Sequence, residues 1–275
     1  MDTCFKDSSI KKINVAFSGG GMVAFYHTGV CKRLLELYHS KQIDIGNIYG
    51  SSAGALAGCI FIYSMINPEF TTDKFMDIVH TQFKVECKKE YNRILPAWIN
   101  IYKKILPEDI HLLCSNKLHI GIMVKENGEI IQKTISQYSS RSNLLNVLYV
   151  SASIPIFTIL SPYSIYKNPV LNTNCPAIDG LFIPHIECLD CETLYINILK
   201  YNYALFKRII YWERSYDFMV NDGYRDICDF FNKNKSSPII YFYENNYNNK
   251  HKQYFYIWTN KLIRILVYLW LTIFT

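Results

Sequence analysis

Between residues 13 and 65 the hydrophobic pattern changes period twice in the same manner. Ile13-Asn14-Val15-Ala16-Phe17 is a short apolar run suited to a buried strand. Ser18-Gly19-Gly20-Gly21 ends it, and residues 26–38 then carry apolar side chains at helical spacing. After Asp44-Ile45-Gly46 a second short run, Asn47-Ile48-Tyr49, leads into Gly50-Ser51-Ser52-Ala53-Gly54, and residues 55–65 read as an apolar helix. The pattern therefore predicts two successive strand–turn–helix units, each with a glycine-rich turn.

Downstream, residues 71–113 alternate charged and apolar positions in a mostly helical pattern that Pro96 and Pro107 divide. That segment suits either an outer-layer helix or a lid over a binding site. Residues 118–124 and 130–135 are short apolar strands around Asn127-Gly128, to be joined as a hairpin or set as neighbours in a central sheet. Residues 142–150 read as a helix with Ser142 as its cap. Residues 193–199 and 238–243 read as strands, and residues 215–231 as a helix with Phe218, Met219, Ile227, Phe230 and Phe231 inward. The expected architecture is one α/β domain over residues 1–253, followed by a hydrophobic tail, residues 254–275.

In the tail, residues 265–274 form an uncharged run of ten, apolar but for Thr272. As a helix that run is about 15 Å long, half a hydrocarbon core. Extending it backward puts Lys261 and Arg264 in the span, at roughly 2.5–3.5 kcal/mol each. A helix lying in the membrane interface is the favoured expectation, with a buried terminal helix as the alternative. Residues 1–12 are polar, so no secretory leader is expected. Nine cysteines, an odd and scattered set, suit reduced thiols in a cytoplasmic chain. Cys175, His185, Cys188 and Cys191 supply a single close pair, whereas structural zinc usually takes two. The net charge of +6 favours anionic lipid surfaces, while no basic run with interleaved aromatics marks a nucleic-acid channel.

The chemistry suggested by the two turns is acyl transfer. Gly50-Ser51-Ser52-Ala53-Gly54 fits G-x-S-x-G, which sets a serine at the tip of a strained strand-to-helix bend. Ser52 would sit at a helix N-terminus, where unpaired amides favour developing negative charge. Gly19, Gly20 and Gly21 allow further amides to converge on an oxyanion. A dinucleotide fingerprint is excluded because Ala24 stands where its third glycine belongs, and a phosphate-binding loop lacks its lysine. A histidine triad has no good mount, since His251 lies in a polar loop and His27 is expected to pack under the glycine loop.

Residues 17–30 (Phe17-Ser18-Gly19-Gly20-Gly21-Met22-Val23-Ala24 and onward to Val30), Gly50-Ser51-Ser52-Ala53-Gly54, Ser151-Ala152-Ser153-Ile154-Pro155 and Ile178-Asp179-Gly180-Leu181 together resemble the patatin-like phospholipase family. The resemblance implies a three-layer α/β/α fold with a mostly parallel sheet. It also implies a Ser–Asp dyad of Ser52 and Asp179 that cleaves fatty-acyl esters through an acyl-enzyme. Gly19, Gly20, Gly21 and Met22 would hold the oxyanion, and Gly50, Ala53 and Gly54 would frame the nucleophile. Neither metal nor organic cofactor is implied. The implied partners are a phospholipid or other acyl lipid and a membrane or lipid-droplet surface. Val23 replaces an arginine common in the family, which points toward the triacylglycerol-lipase branch or an acyltransferase. Leu181 departs from the small residue usual after Asp-Gly. A lipid-binding relic without catalysis is the non-enzymatic alternative.

Overall fold

The computed structural model describes residues 10–87, 93–154, 158, 161, 163–168, 173–180, 192–198, 216–233 and 237–243. Its first unit is strand β1 (Lys11–Phe17), a single 3-10 turn (Gly21–Val23) and helix α1 (Ala24–His39). Its second is β2 (Ile43–Ser51) followed by α2 (Ala53–Ile66), so both expected strand–turn–helix units form, β2 running longer than its apolar core suggests. Helices α3 (Thr72–Cys87), α4 (Ile94–Ile105) and α5 (Ile110–Cys114) come next. Pro96 does not divide a helix. It occupies the first turn of α4, where its missing N–H leaves no bond unmade.

The chain continues through β3 (Leu118–Glu126), β4 (Glu129–Ile135), α6 (Arg141–Ser151), β5 (Ser164–Asn168) and β6 (Thr173–Ile178). It then adds β7 (Thr193–Ile196), α7 (Asp217–Lys233) and β8 (Ile240–Phe242). The β3–β4 connection is a hairpin. Asn127 and Gly128 both adopt positive φ (51° and 81°), as a type I′ turn requires. The expected cap of α6 is corrected: Ser140, not Ser142, accepts from the Asn143 amide, so the helix starts at Arg141.

The sheet runs β5-β6-β3-β2-β1-β7-β8, with β4 added to β3. β7, β1, β2 and β3 are mutually parallel, and β6, β5, β8 and β4 are antiparallel additions around that centre. The crossovers from β1 to β2 and from β2 to β3 step the same way across the sheet, and the right-handed rule for parallel connections puts α1 and α2 on one face. Strand residues facing them, among them Val15, Phe17, Ile48, Ile120 and Ile196, join side chains from every described helix in one core. The alternate residues Ala16, Tyr49 and Tyr195 form a second cluster on the opposite face with Tyr241 and Tyr243. That cluster contains no helical residue among those described. The expectation of helices on both faces thus extends to residues outside the described set, as do the tail, His185, Cys188 and Cys191.

One edge of β3 is shared. Ile120 pairs with Ile135 of β4 and with Gly50 of β2, while Met123 pairs with Gln132 of β4 and with Ile178 of β6. β4 therefore takes one edge of β3, and β2 and β6 take the other in succession. β2 is parallel to β3 and ends at Ser51, opposite Gly121; β6 is antiparallel and ends at Ile178, opposite Met123. The C-terminal ends of β2 and β6 consequently point at each other.

Helix α1, which carries the glycine turn, is braced from outside by α7. A Cβ on Gly29 would lie 1.9 Å from the Val220 carbonyl oxygen, and one on Gly223 would lie 2.1 Å from that of Tyr26. The two backbones thus cross without intervening side chains. Tyr26 Oη donates to Asp226 Oδ2 (2.8 Å) and Tyr224 Oη to Glu36 Oε2 (3.0 Å), fixing the register of the crossing. Gly223→Ala is expected to lower stability by about 1–3 kcal/mol through overpacking, read as a lowered urea midpoint.

Candidate active site

Ser52 closes β2 and caps α2 with φ 54° and ψ −127°, a conformation costly for any residue with a Cβ. Its side chain makes no capping bond to the helix, so the strain is not repaid locally. The bend is tight because α2 starts against β1: a Cβ on Gly54 would fall 2.1 Å from the Phe17 carbonyl oxygen. Ser52 is buried but for 5% of its surface.

Asp179 follows β6 directly and is equally buried, 5% exposed. The register positions of Ser51 and Ile178 on β3, Gly121 and Met123, are two residues apart, or about 7 Å along the strand. Ser52 and Asp179 are the residues that follow those two strand ends. The residues 151–153 tie both ends together. Ser151 Oγ accepts from the Ser52 amide (2.9 Å) and donates to the Gly121 carbonyl (2.7 Å). The Ser151 carbonyl accepts from the Gly180 amide (3.0 Å), and the Ser153 carbonyl accepts from the Asp179 amide (2.9 Å). Gly180 fits only because it lacks a side chain, whose Cβ would meet the Gly121 carbonyl oxygen at 2.0 Å. The sequence marks the Ser151-Ala152-Ser153 block without giving it a task; Ser151 is the bridge between the two strand ends, its hydroxyl on the Ser52 amide and its carbonyl on the Gly180 amide.

The glycine turn is anchored at Ser18. Its amide donates to the Ile196 carbonyl (3.0 Å), and its Oγ accepts from the Ile198 amide (3.0 Å), so β7 grips it from the side. Its carbonyl accepts from His27 Nε2 (2.8 Å), which fixes the proton on that nitrogen. Gly21 adopts φ 58°, and the first helical bonds come from the amides of Val23 and Ala24. The amides of Gly21 and Met22 thus precede the ladder and have no acceptor within the helix. Ala53 and Gly54 stand in the same relation to α2, whose first bonded amides are those of Ala55 and Leu56.

Both helix starts face one cavity of about 150 Å³. Gly21, Met22, Ser52 and Ala53 form one side, and Leu95 and Trp98 of α4 stand among its apolar walls. α4 is fastened over α2 by Tyr102, whose hydroxyl donates to the Leu56 carbonyl (2.7 Å). Asp179, Gly19 and Gly20 are not part of the cavity wall. The segment expected as outer helix or lid therefore supplies cavity wall through α3 and α4, a role its amphipathic pattern did not separate from ordinary packing.

His27 behaves as the sequence reading expected, packing beneath the glycine turn with its ring edge-on to Phe17. It is fully buried, and burial lowers its pKa to about 4 against the smaller opposing pull of the bond to Ser18. Protonation would put a second N–H, on Nδ1, where it meets no acceptor among the described residues. A neutral imidazole is therefore part of the folded turn.

The patatin-like phospholipase family model, "Patatin: Patatin-like phospholipase", matches residues 15–184. A mouse protein named 1-acylglycerol-3-phosphate O-acyltransferase Pnpla3 is 27% identical over 181 residues, 62% of this chain and 42% of its own length. Human omega-hydroxyceramide transacylase is 24% identical over 165 residues, 58% of this chain and 30% of its own length. Human patatin-like phospholipase domain-containing protein 4 is 28% identical over 153 residues, covering 54% of this chain and 58% of that protein. The alignments thus span between about a third and three fifths of these relatives.

Two measurements follow from this geometry. Ser151→Ala leaves the buried Ser52 amide and Gly121 carbonyl without their shared hydroxyl, and should cost about 1–3 kcal/mol in urea unfolding. For His27, the unfolded chain takes up a proton near pH 6.5 and the folded chain only near pH 4. The unfolded state then binds more protons, so stability falls as pH drops through that window, by roughly 3 kcal/mol in total. His27→Gln, which keeps a donor for Ser18, should flatten the dependence of the unfolding midpoint between pH 6.5 and 4.

Proposed function

The chain belongs to the patatin-like phospholipase family, and from that premise we propose that it cleaves fatty-acyl esters of lipids through an acyl-enzyme on Ser52. The observation that carries this reading is the head-on approach of β2 and β6 along one edge of β3, which brings a strained serine and a buried aspartate to the same short segment, residues 151–153. Backbone strain at a buried serine, maintained by surrounding structure, is the kind that accompanies reactive sites.

In this mechanism Asp179 accepts the Ser52 hydroxyl proton as Oγ bonds to the ester carbonyl carbon. The amides of Gly21 and Met22, with Gly20 and Ala53 beside them, receive the tetrahedral oxyanion. The intermediate collapses as the carbon–oxygen bond to the alcohol breaks, and Asp179 returns the proton to that leaving oxygen. Water, deprotonated by the same carboxylate, then releases the fatty acid and restores Ser52. An aspartate is a weak base in water, with a pKa of about 3.9. Burial beside the nucleophile, with the oxyanion stabilised in the same step, is what makes it sufficient. Gly19 contributes as part of the turn that aims these amides, and Gly50 and Gly54 by letting strand and helix approach. Neither metal nor organic cofactor enters the scheme.

The apolar cavity at Ser52 supports an acyl chain as the bound group. The names of two relatives, an O-acyltransferase and a transacylase, favour a second reading in which an alcohol replaces water as acceptor. Docking on a membrane or lipid-droplet surface belongs to the same proposal, supported by the net charge of +6. Among the described residues no helix is long and apolar enough to cross a membrane.

A fluorophosphonate probe should label the intact protein and fail to label Ser52→Ala. Asp179→Asn should retain fold and lose roughly 10⁴-fold in ester turnover. Incubation with phosphatidylcholine or triacylglycerol, with and without an added lipid alcohol, separates fatty-acid release from transfer. Undiminished labelling of Ser52→Ala would remove the serine from its role.

A further inference from the structure

Two cavities meet beside α2. The larger one, about 150 Å³, borders Ser52. The smaller, about 20 Å³, is enclosed between Leu35 of α1 and Ile60 and Ser64 of α2. Thr28, Ala57 and Phe75 belong to the walls of both, so the two spaces are separated by these three side chains, one each from α1, α2 and α3. Phe75 is 4% exposed, with its ring 5.9 Å from that of Trp98 and 6.3 Å from that of Phe70. Its ring is held by contact alone and by no directional bond, since phenylalanine has none to make.

We propose that Thr28, Ala57 and Phe75 form a partition that decides how long an acyl chain lies straight along α2, and that Phe75 is its movable leaf. The inference rests on the acyl-enzyme reading of Ser52. Helix α2 serves as the scale. Ala57 lies five positions beyond Ser52, about 7.5 Å along the axis, and Ser64 twelve positions, about 18 Å. An extended hydrocarbon advances about 1.25 Å per carbon, from a C–C bond near 1.5 Å at the tetrahedral angle. The first cavity therefore takes about six carbons in line before the partition. With the partition open, both cavities in line take about fourteen. Longer chains in the closed state must turn back toward the cavity mouth, losing contact with the wall. The smaller cavity holds little more than one water as it stands, so its use depends on displacing the Phe75 ring.

The test compares 4-nitrophenyl hexanoate with 4-nitrophenyl tetradecanoate on the full chain, using Ser52→Ala as the blank. Phe75→Ala, which merges the spaces, should raise the tetradecanoyl-to-hexanoyl ratio of kcat/KM at least roughly tenfold, the worth of about two newly buried methylenes. Ala57→Leu, which thickens the partition, should lower the same ratio. Opposite shifts cannot both come from general destabilisation, and Phe75→Leu provides a milder opening if the alanine variant unfolds. Ratios within twofold of the unsubstituted protein in folded variants would overturn the partition. Should the unsubstituted protein turn over neither ester, the acyl-enzyme reading fails on its own. The partition is then judged by titrating tetradecanoate: tighter binding to Phe75→Ala supports it, and equal binding overturns it.

Discussion

The structure depends on one edge of β3 being shared by two strands that run toward each other. A strand edge offers a fixed ladder of N–H and C=O groups, so whatever pairs with it is placed to within one residue of register. β2 uses the lower part of that ladder and β6 the upper part, and neither can advance without displacing the other. The separation of Ser52 and Asp179 is thus set by the pairing of Ser51 with Gly121 and of Ile178 with Met123, and not by the flexibility of any loop. Ser151 completes the arrangement, its hydroxyl joining the end of β2 to Gly121 of β3 and its carbonyl holding the residue pair that follows β6.

The glycine turn on the other side of Ser52 obeys a comparable constraint. Three amide-rich residues would be a poor scaffold if they hung free, because glycine loses the most conformational entropy on ordering. Here the turn is fastened at its first residue, Ser18, through amide, hydroxyl and carbonyl to three different partners. His27 supplies one of these from within α1, one helical turn past the loop it supports. α7 then holds α1 from outside through a crossing where the backbones touch. Rigidity at the site comes from the elements around the glycines.

Much of this was legible in the sequence because the signals are local. Both glycine turns follow short apolar strands and precede helical periodicity, and both appear where expected; Asn127-Gly128 gave its hairpin for the same reason. What the sequence could not show is which strand lies beside which. The pairing of β6 with β3 joins residues some fifty positions apart, and its register decides where along β3 the strand leading into Asp179 ends. Nor does Ser151 advertise its bridge: Ser151 and Ser153 are equivalent in the sequence, and only the fold distinguishes them. The misplaced cap at α6 has the same origin, since Ser139-Ser140-Arg141-Ser142 offers three hydroxyls and geometry selects one. Amphipathic helices announce that they bury a face, but not whether they bury it against a core or against a cavity, as α3 and α4 do.

The pairing of β1 with β7 sets a schedule for synthesis. β1 precedes every other described strand, yet its second neighbour joins it through pairs such as Phe17 with Ile196, 179 residues later. At ribosomal speeds of about 5–20 residues per second, that neighbour emerges roughly ten to forty seconds after β1. Through that interval an apolar strand has one edge unpaired, the condition under which nascent chains associate wrongly or engage chaperones. A gene fragment ending at residue 184, where the family match ends, would leave that edge open permanently.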